Sequence, residues 1–222
     1  MYKIIKNFLT PEEHAELNAE CESLTKKASV LTRNTRNWVL NDRFNPCKLD
    51  GAMAYSPVFA KLGRNPILVA EAQEWLECEE LDTYISKFFP MMPRKGFSVG
   101  WHQDNHYIQA DPNKMVSCDV FVNGARKENG CLRIVPNSHH NLHPHTSPSH
   151  GGIFQWLEHT GKSIDIEDDE PFAILFHINL VHGCYRNRSL DHRFSIAWEY
   201  KVRDYLPASH RNHISQDVLK IC

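Results

Sequence analysis

From residue 81 onward the chain is cut into short runs of aromatic and β-branched residues, and that pattern leaves few folds open. The runs 81–89, 97–102, 114–122, 130–135, 171–178 and 193–200 are separated by Pro, Gly and Asn. Short runs bounded in this way read as strands, and a series of them in one chain closes into a sandwich or jelly roll. Before residue 80 the signals differ. Thr10-Pro11-Glu12-Glu13 offers a capping threonine, a proline suited to the first turn and a glutamate three residues after the cap. Leu17, Leu24 and Ala28 extend an apolar stripe, so the spacing predicts a helix over 11–28. Ser56-Pro57 and Asn65-Pro66 repeat the polar-then-proline start and predict helices near 57–62 and 66–78, with a polar connection around 32–50. The expectation is a mainly β protein in which a helical N-terminal layer, 1–80, flanks a β core, 81–203, within a single domain covering 1–222.

Composition narrows the partners. The 222 residues suffice for one well-buried core, and 41% hydrophobic with 23% charged residues is the make-up of a globule, not of a disordered tail. Lys and Arg total 25 against 27 Asp and Glu, so a net charge of -2 makes no electrostatic case for nucleic acid or an anionic membrane. No apolar run approaches the length of a spanning helix. A small-molecule substrate is the expected partner, and the oligomeric state is left open. The opening residues do not read as a signal peptide. The 7 Cys contain no CxxC pair, which predicts reduced thiols in a cytoplasmic protein.

The chain has 14 His, and five of them crowd into 139–150. That stretch belongs to 136–161, polar, proline-rich and long for a hairpin connection, and it reads as a solvent-facing loop or lid without the fixed spacing of a metal site. His102 and Asp104 are different: two apart in an aromatic run, they fall on one side of a strand. His182 follows the apolar run that ends near Ile178. Two histidines and one carboxylate make the facial set that holds non-haem Fe(II) with open positions opposite; the alternative is a surface pair at 102 and 104 and a satisfied core histidine at 182. By the same alternation Gln103 points away from His102 and braces the sheet, while His106 continues the 102/104 parity toward the site. Arg193 opens the last strand, with Ser195 on the same face. A buried guanidinium needs a planar acid, which a dicarboxylate cosubstrate supplies bidentately; the alternative is an edge arginine paired with Glu199 or Asp191.

These segments resemble the phytanoyl-CoA dioxygenase (PhyH) family of Fe(II)/2-oxoglutarate-dependent oxygenases. Trp101-His102-Gln103-Asp104 resembles its WHQD motif. The stretch Glu128-Asn129-Gly130-Cys131-Leu132-Arg133-Ile134-Val135-Pro136-Asn137-Ser138-His139 resembles its ENGCLRVIPGSH segment almost throughout. His182-Gly183, Asn187, Arg193 and Ser195 resemble its distal-histidine and cosubstrate-anchor region, and Phe8-Leu9-Thr10-Pro11-Glu12-Glu13 resembles its opening FLSPEE. The resemblance implies a double-stranded β-helix, a cupin-like jelly roll. It further implies iron held by His102, Asp104 and His182, 2-oxoglutarate anchored by Arg193 with Ser195 assisting, and O2 as the second cosubstrate. Halogenating relatives lack the carboxylate, so Asp104 implies hydroxylation.

Where the family strand usually reads VWIAL-D, this chain places Ser117 and Asp119 on one face. If that face points inward, the pocket is more polar than one built for a fatty acyl chain, and Ser117, Asp119 and His106 become substrate-contact candidates. An acyl-CoA would instead need a basic cradle for its phosphates, for which Arg33, Arg36, Arg43 and Lys48 are the candidates. The expected activity is hydroxylation of an unactivated C–H bond of a small, polar metabolite, with release of succinate and CO2. The alternatives are a cupin-like metal enzyme that does not use 2-oxoglutarate and a non-catalytic β-sandwich binding protein.

Overall fold

A computed structural model describes residues 1–146, 162–209 and 219–221. Most of the expected 136–161 loop therefore lies outside the described residues, including the part from 147 that would form a lid. The architecture is mainly β, with two antiparallel sheets and the helices gathered in the N-terminal part.

Helix α1 (Pro11–Ala28) forms where the capping signals predict it. The Thr10 hydroxyl accepts from the Glu13 amide and the Glu13 carboxylate accepts from the Thr10 amide, closing the capping box. Leu17, Cys21, Leu24 and Ala28 bury one stripe. After the short helix α2 (Ala52–Tyr55), α3 (Pro57–Gly63) starts on the Ser56 hydroxyl and α4 (Pro66–Leu76) on the Asn65 side chain, which accepts from two amides.

The larger sheet runs β1 (Tyr2–Lys6), β9 (Phe172–His177), β6 (Met115–Phe121), β11 (Ser195–Val202), β4 (Leu81–Phe89), β3 (Pro46–Asp50) and β2 (Trp38–Leu40), with β12 (Leu219–Lys220) also on β4. The smaller sheet runs β5 (Val99–His102), β10 (His182–Cys184), β7 (Leu132–Ile134) and β8 (Ile164–Ile166). Strand alternation divides the large sheet's residues between two environments. Val116, Cys118 and Val120 of β6, with Ile196, Trp198 and Tyr200 of β11, pack with Leu17, Phe59 and Leu68 of the helices. Ser117, Asp119 and Phe121, with Ser195, Ala197 and Glu199, face a cavity of about 750 Å³.

The first 80 residues are less purely helical than expected, since β1, β2 and β3 extend the large sheet at both edges. The Tyr2–Lys6 partner is the segment Phe172–His177, some 170 residues away. The polar stretch 32–50 carries no apolar alternation to announce its two strands. The six described cysteines that are characterised, Cys21, Cys47, Cys78, Cys118, Cys131 and Cys184, are free thiols.

Candidate metal centre

The centre is assembled by strand pairing. β10 lies against β5 with His182 directly opposite His102, so two histidines 80 positions apart become neighbours. Gly183 permits this approach: a Cβ there would sit 2.8 Å from the Val99 carbonyl oxygen and 3.1 Å from that of Gly100. Asp104 arrives differently from the strand alternation predicted. β5 ends at His102, and Asp104 is the first residue of α5 (Asp104–Ile108), whose turn brings the carboxylate back over the histidines. The same turn breaks the parity argument for His106. Its ring stacks on His145 at 4.0 Å, and it is Tyr107 that lines the cavity.

The ligand atoms converge. His102 Nδ1–H donates to the Gly100 carbonyl and His182 Nδ1–H to the Leu180 carbonyl, each at 2.9 Å. A carbonyl only accepts, so both hydrogens are fixed on Nδ1 and both Nε2 lone pairs are free. The two Nε2 atoms lie 3.6 and 3.7 Å from Asp104 Oδ1, and the three ligand atoms fall within 4.8 Å of one another. The Ser117 hydroxyl donates to Asp104 Oδ2 at 2.7 Å, leaving Oδ1 directed at the imidazoles. This donor set, two neutral nitrogens and one carboxylate oxygen with cavity on the open side, fits an Fe(II) ion. Removing the Ser117 hydroxyl should weaken iron binding by about 10–100-fold while the fold persists, the usual cost of losing a group that orients a ligand. Iron titration of Ser117→Ala against the parent checks this.

The electrostatics agree with a ligand role. Burial, reinforced by His102, pushes His182 down to about 4 against the pull of Asp104, so the imidazole is neutral near pH 7. Burial alone would raise Asp104, but His182, His102 and Lys87 hold it well below the usual carboxylate range. Burial likewise pushes His145 and His177 down to about 4. An unfolded chain protonates these three histidines near pH 6.5, while the folded state resists until about 4, so acidification across that window favours the unfolded state. Asp119 opposes them: burial and then Asp104 push it up to about 7, so the folded state takes up a proton there that the unfolded state does not. Three groups against one predict that the urea midpoint of metal-free protein falls between pH 6.5 and 4.5. A flat or rising midpoint would contradict the assignment of neutral histidines.

Gln103 is fully buried between the centre and the histidine-rich loop. Its side-chain amide donates to the carbonyls of Asn141 and Asn179 and its oxygen accepts from the His143 amide at 2.8 Å. The Gln103 amide itself donates to His145 Nε2 at 2.9 Å. The described part of the loop is thus pinned to the segment that carries His102 and Asp104. Gln103→Ala strands three backbone polar groups and should lower the unfolding free energy by about 2–4 kcal/mol, read from urea denaturation.

Arg193 lies on the other side of the cavity and is 3% exposed. Its Nη1 donates to Ser195 Oγ, its guanidinium lies 5.1 Å from the Phe121 ring centre, and its Nε has no hydrogen-bond partner. Neither Glu199 nor Asp191 forms an ion pair with it, so the edge-arginine alternative fails. Among the described residues it forms no ion pair, Asp119 acting on it only at longer range, and a buried cation so placed is costly unless a ligand completes it. Ser117 and Asp119 line the same cavity. So do Lys87, Arg36 and Lys48, while Arg33 and Arg43 do not. The contributions of β3 and of the segment before β2 carry no local signal, because only pairing across β4 brings them to the cavity.

The sequence profile of phytanoyl-CoA dioxygenase (PhyH) matches residues 2–195. The chain belongs to the PhyH family. The chain is similar to the dioxygenase trt7 of Aspergillus terreus, 24% identical over 98% of this chain and 75% of that protein. The peroxisomal phytanoyl-CoA dioxygenase of Rattus norvegicus is 26% identical over 54% of this chain and 39% of its own length. The fold is similar to that of the epimerase SnoN from nogalamycin biosynthesis, solved with Fe3+, α-ketoglutarate and nogalamycin RO. That match has a TM-score of 0.74 and 17% identity, and covers 94% of this chain and 82% of SnoN. The cytoplasmic expectation is overturned, because mammalian PhyH relatives are peroxisomal enzymes. Free thiols do not name a compartment. No described helix is long and apolar enough to cross a membrane.

Proposed function

We propose that this PhyH protein is an Fe(II)/2-oxoglutarate-dependent dioxygenase that hydroxylates an unactivated C–H bond of a small substrate, releasing succinate and CO2. His102, Asp104 and His182 hold the iron, and Arg193 with Ser195 holds the distal carboxylate of 2-oxoglutarate. The two sheets form the halves of a double-stranded β-helix, and residues 1–222 form one catalytic domain around it.

The carrying observation is the pairing, within one cavity, of three converging metal-ligand atoms with a buried arginine that forms no ion pair among the described residues. Bound iron, 2-oxoglutarate and O2 supply the oxidising chemistry. The chain's own residues do the rest. The Gly100 and Leu180 carbonyls keep both imidazoles aligned and their Nε2 atoms unprotonated. Ser117 holds one Asp104 oxygen so that the other stays on the metal side. Arg193 sets the cosubstrate's direction through a bidentate geometry that lysine lacks. Phe89, Phe121 and Leu132 give the cavity apolar walls that exclude bulk water from the reacting centre.

Purified protein loaded anaerobically with Fe(II) and 2-oxoglutarate, then exposed to O2 with a panel of small metabolites, should form succinate in a substrate-stimulated manner. Metal binding without any 2-oxoglutarate consumption would favour the cupin-like alternative.

A further inference from the structure

Strand register orders the cavity floor between the metal and the arginine anchor. On β6 the residues that face the cavity are Ser117, Asp119 and Phe121. Ser117 donates to Asp104 at the metal end, and the Phe121 ring meets the Arg193 guanidinium at the other. Asp119 stands midway, about 7 Å of strand from each, in a row that Ala197 and Lys87 continue. A dicarboxylate that reaches from the metal to Arg193 crosses this row, so Asp119 borders the cosubstrate. It is not a further metal ligand, because it lies outside the set of converging ligand atoms. Among the described residues it makes neither a hydrogen bond nor an ion pair.

Charged groups face Asp119 from several elements. Lys87 of β4 pairs with Glu199 of β11 at 4.0 Å. The metal side brings Asp104 with the neutral imidazoles of His102 and His182. Arg193 closes the far end, beside the Cys184 thiol of β10, which burial keeps protonated. On β9 the partner of Asp119 is Ile174, without charge. Lys48 and Asp50 form a closed pair at 2.8 Å, and Arg36 is exposed to solvent. Iron(II), Arg193 and Lys87 therefore balance the cosubstrate dianion, Asp104 and Glu199 only if Asp119 carries no charge. An ionised Asp119 would add an unmatched negative charge beside a dianion in a desolvated space, where like charges favour the protonated acid. Even before a dianion arrives, burial and then Asp104 push Asp119 up to about 7.

We propose that Asp119 is a cosubstrate-binding residue that meets 2-oxoglutarate as the neutral acid and donates a hydrogen bond to one of its oxygens, so that binding carries a proton from solvent into the site. The inference rests on the iron/2-oxoglutarate reading of this cavity. It assigns Asp119 to the cosubstrate rather than to the substrate contact that the polar face of β6 suggests. The sign of the pH dependence follows. At low pH free Asp119 already holds the proton and binding is indifferent to pH. Above its own range the proton has to be taken up first, so affinity falls by up to about tenfold per pH unit.

The test is calorimetry on the anaerobic iron-loaded protein, titrated with 2-oxoglutarate between pH 6 and 8.5 in buffers of high and low ionisation enthalpy. At pH 8.5 the parent should take up about one proton per cosubstrate bound, and less as the pH is lowered. Asp119→Asn keeps a neutral donor and has nothing to titrate. Its uptake should vanish, and at pH 8.5 it should bind 2-oxoglutarate about tenfold tighter than the parent, a gain that a merely structural role would not produce. Asp119→Ala should also lose the uptake but bind about tenfold more weakly than Asp119→Asn, since the donor is gone. A parent that takes up no proton, or an Asp119→Asn variant that takes up as much as the parent, would overturn the proposal. Equal affinities of the Asn and Ala variants would remove the hydrogen bond and with it the contact. A parent that binds no 2-oxoglutarate at any of these pH values would count against the iron/2-oxoglutarate reading itself.

Discussion

Asp104→Ala is expected to abolish iron binding and succinate formation while the fold persists. The carboxylate is the one anionic ligand among the three, and its Oδ1 sits 3.6 and 3.7 Å from the two imidazole nitrogens. Losing a group that merely orients a ligand costs about 10–100-fold in metal affinity; losing the ligand itself should exceed that range. Folding should be spared, because Asp104 is a half-buried carboxylate held ionised by histidines and a lysine rather than a packing residue. The check is iron titration of the purified variant together with its urea midpoint. Near-normal iron affinity would remove Asp104 from the ligand set. A collapsed midpoint would assign it a structural role instead.

The second large effect is expected at Arg193. Replacing it with Met should raise the 2-oxoglutarate concentration needed for half-maximal turnover by about 30-fold or more, the equivalent of about 2 kcal/mol or above for truncating one partner of a buried charge pair. Iron affinity should change little, since Arg193 is on the anchor side of the cavity. Arg193→Lys should recover only part of the loss, because an ammonium keeps the charge but not the planar fork. Stability gives a second readout. The guanidinium is buried, with Nε unpaired and no ion pair among the described residues, so the metal-free Met variant should be at least as stable as the parent. An unchanged cosubstrate requirement combined with a large loss of stability would make Arg193 a structural residue.

Particular residues show how far local signals reach. The caps at Thr10, Ser56 and Asn65 are each satisfied within two or three residues, and the helices start where those signals place them. The runs around 81–89, 114–122 and 171–178 form strands close to their sequence limits. Short-range logic fails where the partner is distant. β1 exists because Phe172–His177 offers it an edge, and β2 and β3 exist because β4 does. It fails again at residue 104, where strand alternation gives way to a helical turn; Asp104 still reaches the histidines, but His106 turns away to stack on His145.

The 14 histidines divide along the same line. By itself the sequence determined the chemistry on offer: a His-x-Asp pair, a later histidine before a turn, an arginine opening the last strand, and a polar face at Ser117 and Asp119. It also determined that the crowded histidines of 139–150 lack ligand spacing. Tertiary structure alone decided which of these groups meet. His182 stands opposite His102 only because β10 pairs with β5 in one register, a one-residue slip of which would turn the imidazole to the other face. Arg193 is a buried cation without an ion pair among the described residues because its neighbours in space include Ser195 and Phe121 rather than Glu199. Lys87 and Asp119 share one row of the large sheet only because Ala197 pairs with both. Register is a property of two strands at once, set by long-range packing, and no single stretch of sequence contains it.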